Sequence, residues 1–439
     1  MTSAQAAEPF TPPLPEGTHT VALGLGDLNG IMRGKRIPAS QWSSVCGQGN
    51  AMSIAIFTMD MTCDVWDTPY VSFANGFPDM HLFPLHAPVA VPWEPGVAFC
   101  LARAEGMDHQ PVPIDPRQAL VRQVERAHAL GLDIQVGVEV EFYLVDPQTK
   151  QPKEQGIQVY SLLRAAQNEK LLGPIRRHIH AMGIPIEQSN PEYGPGQAEV
   201  NIRYSDALSS ADRLVMFRNL VKELAHQQGY LATFMAKPFI QESGNGFHTH
   251  YSIWREGKNL FSNAGKLSKE GLSFLAGLQQ RMPEYTLVGS TTPNAYRRRK
   301  PYTFCPTRTH WGYDNRTCAL RVIEGTEDAV RVEKRDASAD CNPYLLLACD
   351  IAAGLDGLES DLQPTEPCQG DAYATNITGV VDLPLNLETA IALAEPSAFL
   401  RSVLQPDSLT ILLQQAKREL AFVGNQVTPV EQDRYLGNF

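Results

Sequence analysis

Glu139 and Glu141 stand two residues apart in Gly-Val-Glu-Val-Glu-Phe-Tyr-Leu-Val, residues 137–145. Side chains alternate along a strand, so the two carboxylates share one face while Val138, Val140 and Phe142 share the other. Like charges that close repel, and on a part-buried face they also lose hydration. Either that face opens to water or a cation lies between them. The pattern recurs along the chain. Glu192 precedes a Gly-Pro-Gly turn and Glu199 heads an apolar segment in EYGPGQAEVNI. GNGFHTHYSIW puts His248, His250 and Ser252 on one face of a strand, and VRVEKRDASADCNPY does the same for Arg331, Glu333 and Arg335. One such strand reads as a solvated face; four in one region point to a shared polar cavity.

Five glutamates with one or two histidines, and no suitably spaced cysteines, form a hard, oxygen-rich donor set that suits Mg²⁺ or Mn²⁺ better than structural zinc. Arg298, Arg316, Arg321, Arg331 and Arg335 are candidate anion clamps, because guanidinium pairs bidentately with phosphate and carboxylate. A divalent cation with several arginines is the equipment of phosphoryl transfer. Arg297–Lys300, Arg-Arg-Arg-Lys, reads in isolation as a solvated basic loop.

The elements that must position these residues are set by punctuation and periodicity. Short alternating segments from Thr18 to about Ala104 make a small, mostly β domain, with two strands joined through Asp-Leu-Asn-Gly. Asp115 suits a helix cap, Pro116 the first helical position and Gly131 the stop, with Leu120, Val121 and Val124 as the buried stripe. Beyond it strands alternate with helices such as the one after Ser210, giving a large α/β or α+β domain. The expected division is a flexible tail over 1–16, an N-terminal domain over 17–111 and a catalytic domain over 112–439. The tail is proline-rich, with no apolar run of the signal-peptide kind. Eight scattered cysteines without a C-x-x-C pair fit a reduced cytoplasmic protein, and no apolar stretch has the length of a membrane span. A net charge of −11 argues against a nucleic-acid or anionic-membrane partner. Walker loop, H-E-x-x-H and G-x-S-x-G motifs are missing, and GLGDLNG lacks dinucleotide-loop spacing.

Five segments in order, VEVEFYLVD, EYGPGQAEVNI, KPF…GNGFHTHYS, NAYRRRKP…DNRTCALRV and VEKRDASADCNPYL, resemble the glutamine synthetase family over nearly the whole chain. The resemblance implies an α+β fold: a small N-terminal β-grasp domain, then a large catalytic domain of glutamine-synthetase type. It implies self-association into stacked rings, a dodecamer, with active sites between neighbouring subunits. Glu141, Glu192 and Glu199 would hold one divalent metal; Glu139, His248 and Glu333 would hold a second, next to the nucleotide phosphates. His250, Ser252, Arg321 and Arg331 match nucleotide contacts. Arg298 and Arg335 match contacts to the glutamate carboxylates, with Gly244 beside them, and Arg316 matches a clamp on the transferred phosphoryl group. The implied reaction is ATP-dependent phosphorylation of the glutamate γ-carboxylate, then attack by an amine.

Departures from the family pattern bear on that amine. Ammonia-using members carry a flap glutamate six residues after the arginine; here the position is Phe304. An aromatic ring cannot serve as a base, but it can pack on carbon. PTRTHWGYDNRTCALRV also looks more like the branch that ligates organic amines, in the setting of polyamine or monoamine catabolism. Ser243 and Asn245 depart from the family's glycine-rich segment, though Gly244 and Gly246 remain. Asp60, Asp64 and Asp67 are alternatives for an amine-site carboxylate, and Met59, Met61 and Trp66 are either an apolar amine pocket or ordinary core. DAYATNITGVVDLPLNL shows no match to the regulatory tyrosine segment of some bacterial members. The competing readings are an ammonia-using glutamine synthetase and a non-catalytic sensor or scaffold.

Overall fold

The computed structural model describes residues 11–438 apart from 155, 157 and 158. Strands Thr20–Gly26 and Met32–Pro38 pair antiparallel around the Asp-Leu-Asn-Gly turn. The turn closes on Asp27, whose Oδ1 accepts from Asn29 N and Ile31 N at 2.9 Å while Oδ2 accepts from Arg33 Nε at 2.8 Å. Gly30 takes φ +69°, the left-handed conformation that such a turn asks of glycine. Thr20–Gly26 runs parallel to Val97–Glu105, which also pairs with Asp79–Pro84 and Val89–Ala90, and Asn50–Ser53 completes six strands. This is the expected β-grasp sheet.

Residues 1–10 of the expected flexible tail lie outside the described residues. Pro12 and Leu14 are docked rather than loose: Trp42 Nε1 donates to Pro12 O at 2.9 Å, and Leu14 packs on the core. A buried indole N–H needs an acceptor, and the tail carbonyl provides it.

Among the described residues the second sheet has nine strands. Its path runs Trp311–Tyr313, Leu320–Ile323, Arg331–Ser338, Gly246–Arg255, Asp133–Val145, Gln197–Asp206 and Ile186–Pro191. Asp133–Val145 shows why it is two-sided. Ile134, Val136, Val138, Val140 and Phe142 are buried, and the residues between them, up to Glu141, are more open. The buried face packs under helices: Ala207–Gln227 lies against Asp133–Val145, and Lys269–Gly289 against Arg331–Ser338 and Pro343–Glu359. The polar face is left for the site.

Two helix expectations shift. Pro116–Ala129 is capped by Asp115 Oδ1, which accepts from Arg117 N at 2.9 Å, but Val121 and Val124 are only half-buried. Its buried stripe is Pro116, Ala119, Leu120, Gln123 and Ala127. The helix expected after Ser210 spans Ala207–Gln227 instead, because Asp206 Oδ1 accepts from Ser209 N and caps it one turn earlier. Among the described residues no helix is long and apolar enough to cross a membrane.

Candidate active site

Strand register assembles the polar face. Glu139 lies opposite His248, Glu141 opposite Glu199, and Glu333 opposite both His250 and Arg321. His250 Nε2 lies 3.1 Å from Glu139 Oε1; His248 Nδ1 lies 3.4 Å from Glu139 Oε2 and 3.7 Å from Glu333 Oε1. Among the described residues two triads have donor atoms within 4.8 Å of one another, Glu139–His250–Glu333 and Glu139–Glu199–His248. Glu139 therefore sits at the centre of both, and His250 stands as close to it as His248. The family resemblance separates Glu139 from Glu199 and assigns His250 to the nucleotide alone. Glu141 Oε2 accepts from Gly246 N at 2.8 Å and Gln197 Nε2 at 3.2 Å, and Glu192 Oε1 accepts from Asn190 Nδ2 at 2.9 Å.

The electrostatics of this cluster test whether a cation fits. Burial, reinforced by the charge of Glu141, pushes Glu192 up to about 7. Burial and then the charges of Glu139, Glu141 and Glu192 push Glu199 up to about 9. Glu139 goes the other way: burial would raise it, but the two histidines hold it far below the usual carboxylate range. Burial would raise Glu333 too, yet Arg335 above all holds it down to about 2. Crowded oxygen donors that resist ionising together suit a hard divalent cation, which relieves the repulsion and completes their coordination.

These shifts fix the sign of the pH dependence. Both raised carboxylates favour the native metal-free state below their ordinary value of 4.5, and that contribution is lost as pH rises through about 7 and about 9. A bound cation removes this loss. The thermal stabilisation by Mg²⁺ over EDTA is therefore expected to be larger at about pH 9 than at about pH 6. Scanning fluorimetry at the two pH values checks it, and a shift independent of pH contradicts it.

The arginines divide into groups. Arg335 Nη1 is paired with Glu333 Oε1, and Arg321 Nη1 lies 3.0 Å from Glu333 Oε2 while the same guanidinium pairs with Asp314. Arg331 Nε donates to His250 Nδ1 at 3.3 Å. Arg331, His250, Ser252, Glu139, Gly137 and Tyr204 line a cleft of about 390 Å³, so the structure brings together three of the four residues matched to the nucleotide. Arg321, the fourth, is occupied at the edge by its two carboxylates. Arg316 is exposed on the turn between Trp311–Tyr313 and Leu320–Ile323.

Arg298 and Arg299 are both buried, which corrects the solvated-loop reading for the middle of Arg297–Lys300, while Arg297 and Lys300 at its ends are exposed. The glycines of Gly-Asn-Gly explain how Arg298 fits. A Cβ on Gly244 would lie 2.7 Å from Arg298 Cγ, and one on Gly246 would lie 2.9 Å from Arg298 Nη2 and from His248 Nε2. Any larger residue would move the arginine.

Phe304 lies in the next loop along the chain, 56% exposed and with φ +56°. The 59–67 segment is held elsewhere. Asp60 Oδ1 accepts from Thr62 N and Asp64 N, Asp64 pairs with Arg418, and Asp67 Oδ1 accepts from Phe73 N. Trp66 is buried, donates to Gln414 Oε1 at 3.1 Å and lies under the Arg418 guanidinium, so it is core rather than pocket wall within this chain.

The roles of three polar residues were hidden in the sequence. Gln197 bridges Glu141 to Asn245, whose amide donates to the carbonyls of Thr233 and Met235; the departure at Asn245 is thus a strut. Tyr160 is 67% exposed and is tied to the strand before Glu192, its N donating to Pro191 O at 3.1 Å; partial desolvation and then the charges of Glu192 and Glu199 push its phenol up, with Arg316 opposing. Its φ of +58° carries no signal in a sequence.

Residues 113–435 match the family described as glutamine synthetase, catalytic domain. The chain is 32% identical over 434 residues to a glutamate–isopropylamine ligase of a Pseudomonas species, covering 95% of each chain. It is 33% identical to type-1 glutamine synthetase 2 of Dictyostelium discoideum, covering 95% of this chain and 83% of that one. A solved GmaS–ADP complex superposes with a TM-score of 0.85 at 29% identity, covering 96% of this chain and 97% of that one. On these matches, and on a β-grasp sheet followed by a carboxylate-lined sheet, the chain belongs to the glutamine synthetase family of carbon–nitrogen ligases.

Proposed function

We propose that the chain joins an organic amine to the γ-carboxylate of L-glutamate, with ATP as phosphoryl donor and γ-glutamyl phosphate as intermediate, releasing a γ-glutamyl amide, ADP and phosphate. The observation that carries the amine is Phe304. It occupies, on an exposed loop six residues after Arg298, the position of the flap glutamate in ammonia-using members. A phenyl ring offers no proton acceptor and no charge for ammonium, but it gains from covering the carbon of a larger amine. A short alkylamine of the isopropylamine kind is the substrate class favoured.

In this reading Arg298 and Arg335 hold the glutamate carboxylates, the guanidinium fork matching both oxygens of each. Gly244 leaves Arg298 its room. His250, Ser252, Arg321 and Arg331 receive the nucleotide. Arg316 closes on the phosphoryl group, where a cation placed against developing negative charge lowers the barrier. Glu141, Glu192 and Glu199 would hold one Mg²⁺ or Mn²⁺ and Glu139, His248 and Glu333 another. When bound, the metals neutralise phosphate charge and align the phosphoryl group for transfer. The subunits assemble as a dodecamer of stacked rings, in which the 59–67 segment of one subunit closes the amine end of its neighbour. The enzyme works in the cytoplasm.

The second reading, an ammonia-using glutamine synthetase, is favoured by the similarity to the Dictyostelium protein of that name. Phosphate release from ATP separates the two. It is expected to need L-glutamate and a short alkylamine together and to stay low with ammonium; efficient release with ammonium overturns the amine assignment.

A further inference from the structure

Strand Arg331–Ser338 carries charge on both faces. Arg331, Glu333 and Arg335 point to the site, and Lys334 and Asp336 point into the helices behind, where each is only 1% exposed. Lys334 Nζ lies 2.6 Å from Asp336 Oδ1 and 3.2 Å from Asp350 Oδ1 on helix Pro343–Glu359. Tyr251, the residue between His250 and Ser252, turns the same way and donates to Asp350 Oδ2 at 2.6 Å. Arg299 completes the group: its Nη2 donates to Asp336 Oδ2 at 3.2 Å, to Asp336 O at 3.0 Å and to Ser290 Oγ at 3.2 Å.

Stability alone does not account for four charges in this place. Replacing buried ion pairs by apolar groups of similar size is often neutral or stabilising. Arg299 is a poor stabiliser in particular, since its Nε and Nη1 have no hydrogen-bond partner among the described residues. Two of its three bonds converge instead on Asp336, the third going to Ser290, and the main-chain oxygen of Asp336 also accepts from Arg298 Nη1 at 3.2 Å. Asp336 O is thus shared by the arginine that faces the site and the one that faces the core.

We propose that Arg299 and Asp336 are positioning residues for the glutamate site, fixing from behind the sheet where the Arg298 guanidinium stands. The inference rests on the reading of Arg298 as a contact to a glutamate carboxylate. Arg299 holds the Asp336 peptide by side chain and main chain at once, so the acceptor for Arg298 cannot drift along the strand. Lys334, Asp350 and Tyr251 tie the same strand and its neighbour to the helix beneath, which keeps Glu333 and His250 in register.

The test is titration of L-glutamate into the enzyme with ADP and Mg²⁺, alongside KM values for glutamate and ATP. The double variant Arg299→Met/Asp336→Leu removes the pair without stranding a charge, because Lys334 keeps Asp350. Its glutamate affinity is expected to fall roughly ten- to hundredfold, the cost of a small misplacement in a preorganised site, with the KM for ATP within about twofold. Arg299→Lys, which keeps the charge and loses the fork, is expected to lie between. A folded double variant with wild-type glutamate affinity overturns the proposal, as does a loss shared equally by glutamate and ATP. If the double variant does not fold, Arg299→Lys decides: selective weakening for glutamate supports the proposal and none overturns it. A wild-type enzyme that binds no glutamate overturns instead the reading of Arg298, and this proposal with it.

Discussion

Replacement of Glu139 by glutamine is expected to lower ATP-dependent ligation about a thousandfold, at the upper end for removal of one electrostatic group from an active site. Glu139 is the member common to both triads of possible metal ligands, so its charge serves two positions at once. Its carboxylate also stays ionised despite burial, because His248 and His250 flank it. Glutamine keeps the shape and the place in the strand but removes the charge, and an amide is a poor partner for a hard cation. The side chain is 29% exposed, so the fold should tolerate the change. Steady-state phosphate release, with circular dichroism to show an intact fold, checks the expectation; a loss within about tenfold would make Glu139 peripheral.

Phe304→Glu is expected to raise the ratio of kcat/KM for ammonium over that for a short alkylamine by roughly a hundredfold, the lower end of what a positioned base contributes. The loop already accepts a side chain at φ +56°, and the ring is more than half exposed, so the substitution adds neither strain nor a buried charge. A carboxylate here would both attract ammonium and take its proton, while alkylamines would lose the apolar cover. Initial rates with each amine at fixed glutamate and ATP measure the ratio. A folded variant with the wild-type ratio would show that Phe304 does not choose the amine.

The site was legible in the sequence wherever period-2 alternation carried it. Glu139 with Glu141, His248 with His250, and Glu333 with Arg335 share a face because a strand permits nothing else. Alternation places residues on a face but not strands beside one another. The pairing of Glu139 with both histidines therefore appeared only with the register of Asp133–Val145 against Gly246–Arg255. Charges on the wrong face were illegible for the same reason. Lys334 and Asp336 look like a solvated run, and their partners Arg299 and Asp350 are not their sequence neighbours. Arg297–Lys300 misled by composition, since neither the glycines that admit Arg298 nor the carbonyl that holds it is local. The 59–67 segment offered three aspartates, and within the chain these are used for a turn, an ion pair and a backbone contact.

With Phe304 in place of a flap carboxylate, the site is proposed to take carbon-bearing amines. The measurement that tests it most directly is a single competition: enzyme, ATP, Mg²⁺ and L-glutamate with ammonium and a short alkylamine at equal concentration, the products separated and counted by mass. The γ-glutamyl alkylamide is expected to dominate, with glutamine a minor product. Glutamine as the main product would contradict it, and would mean that a group other than the residue at 304 gathers ammonium and takes its proton.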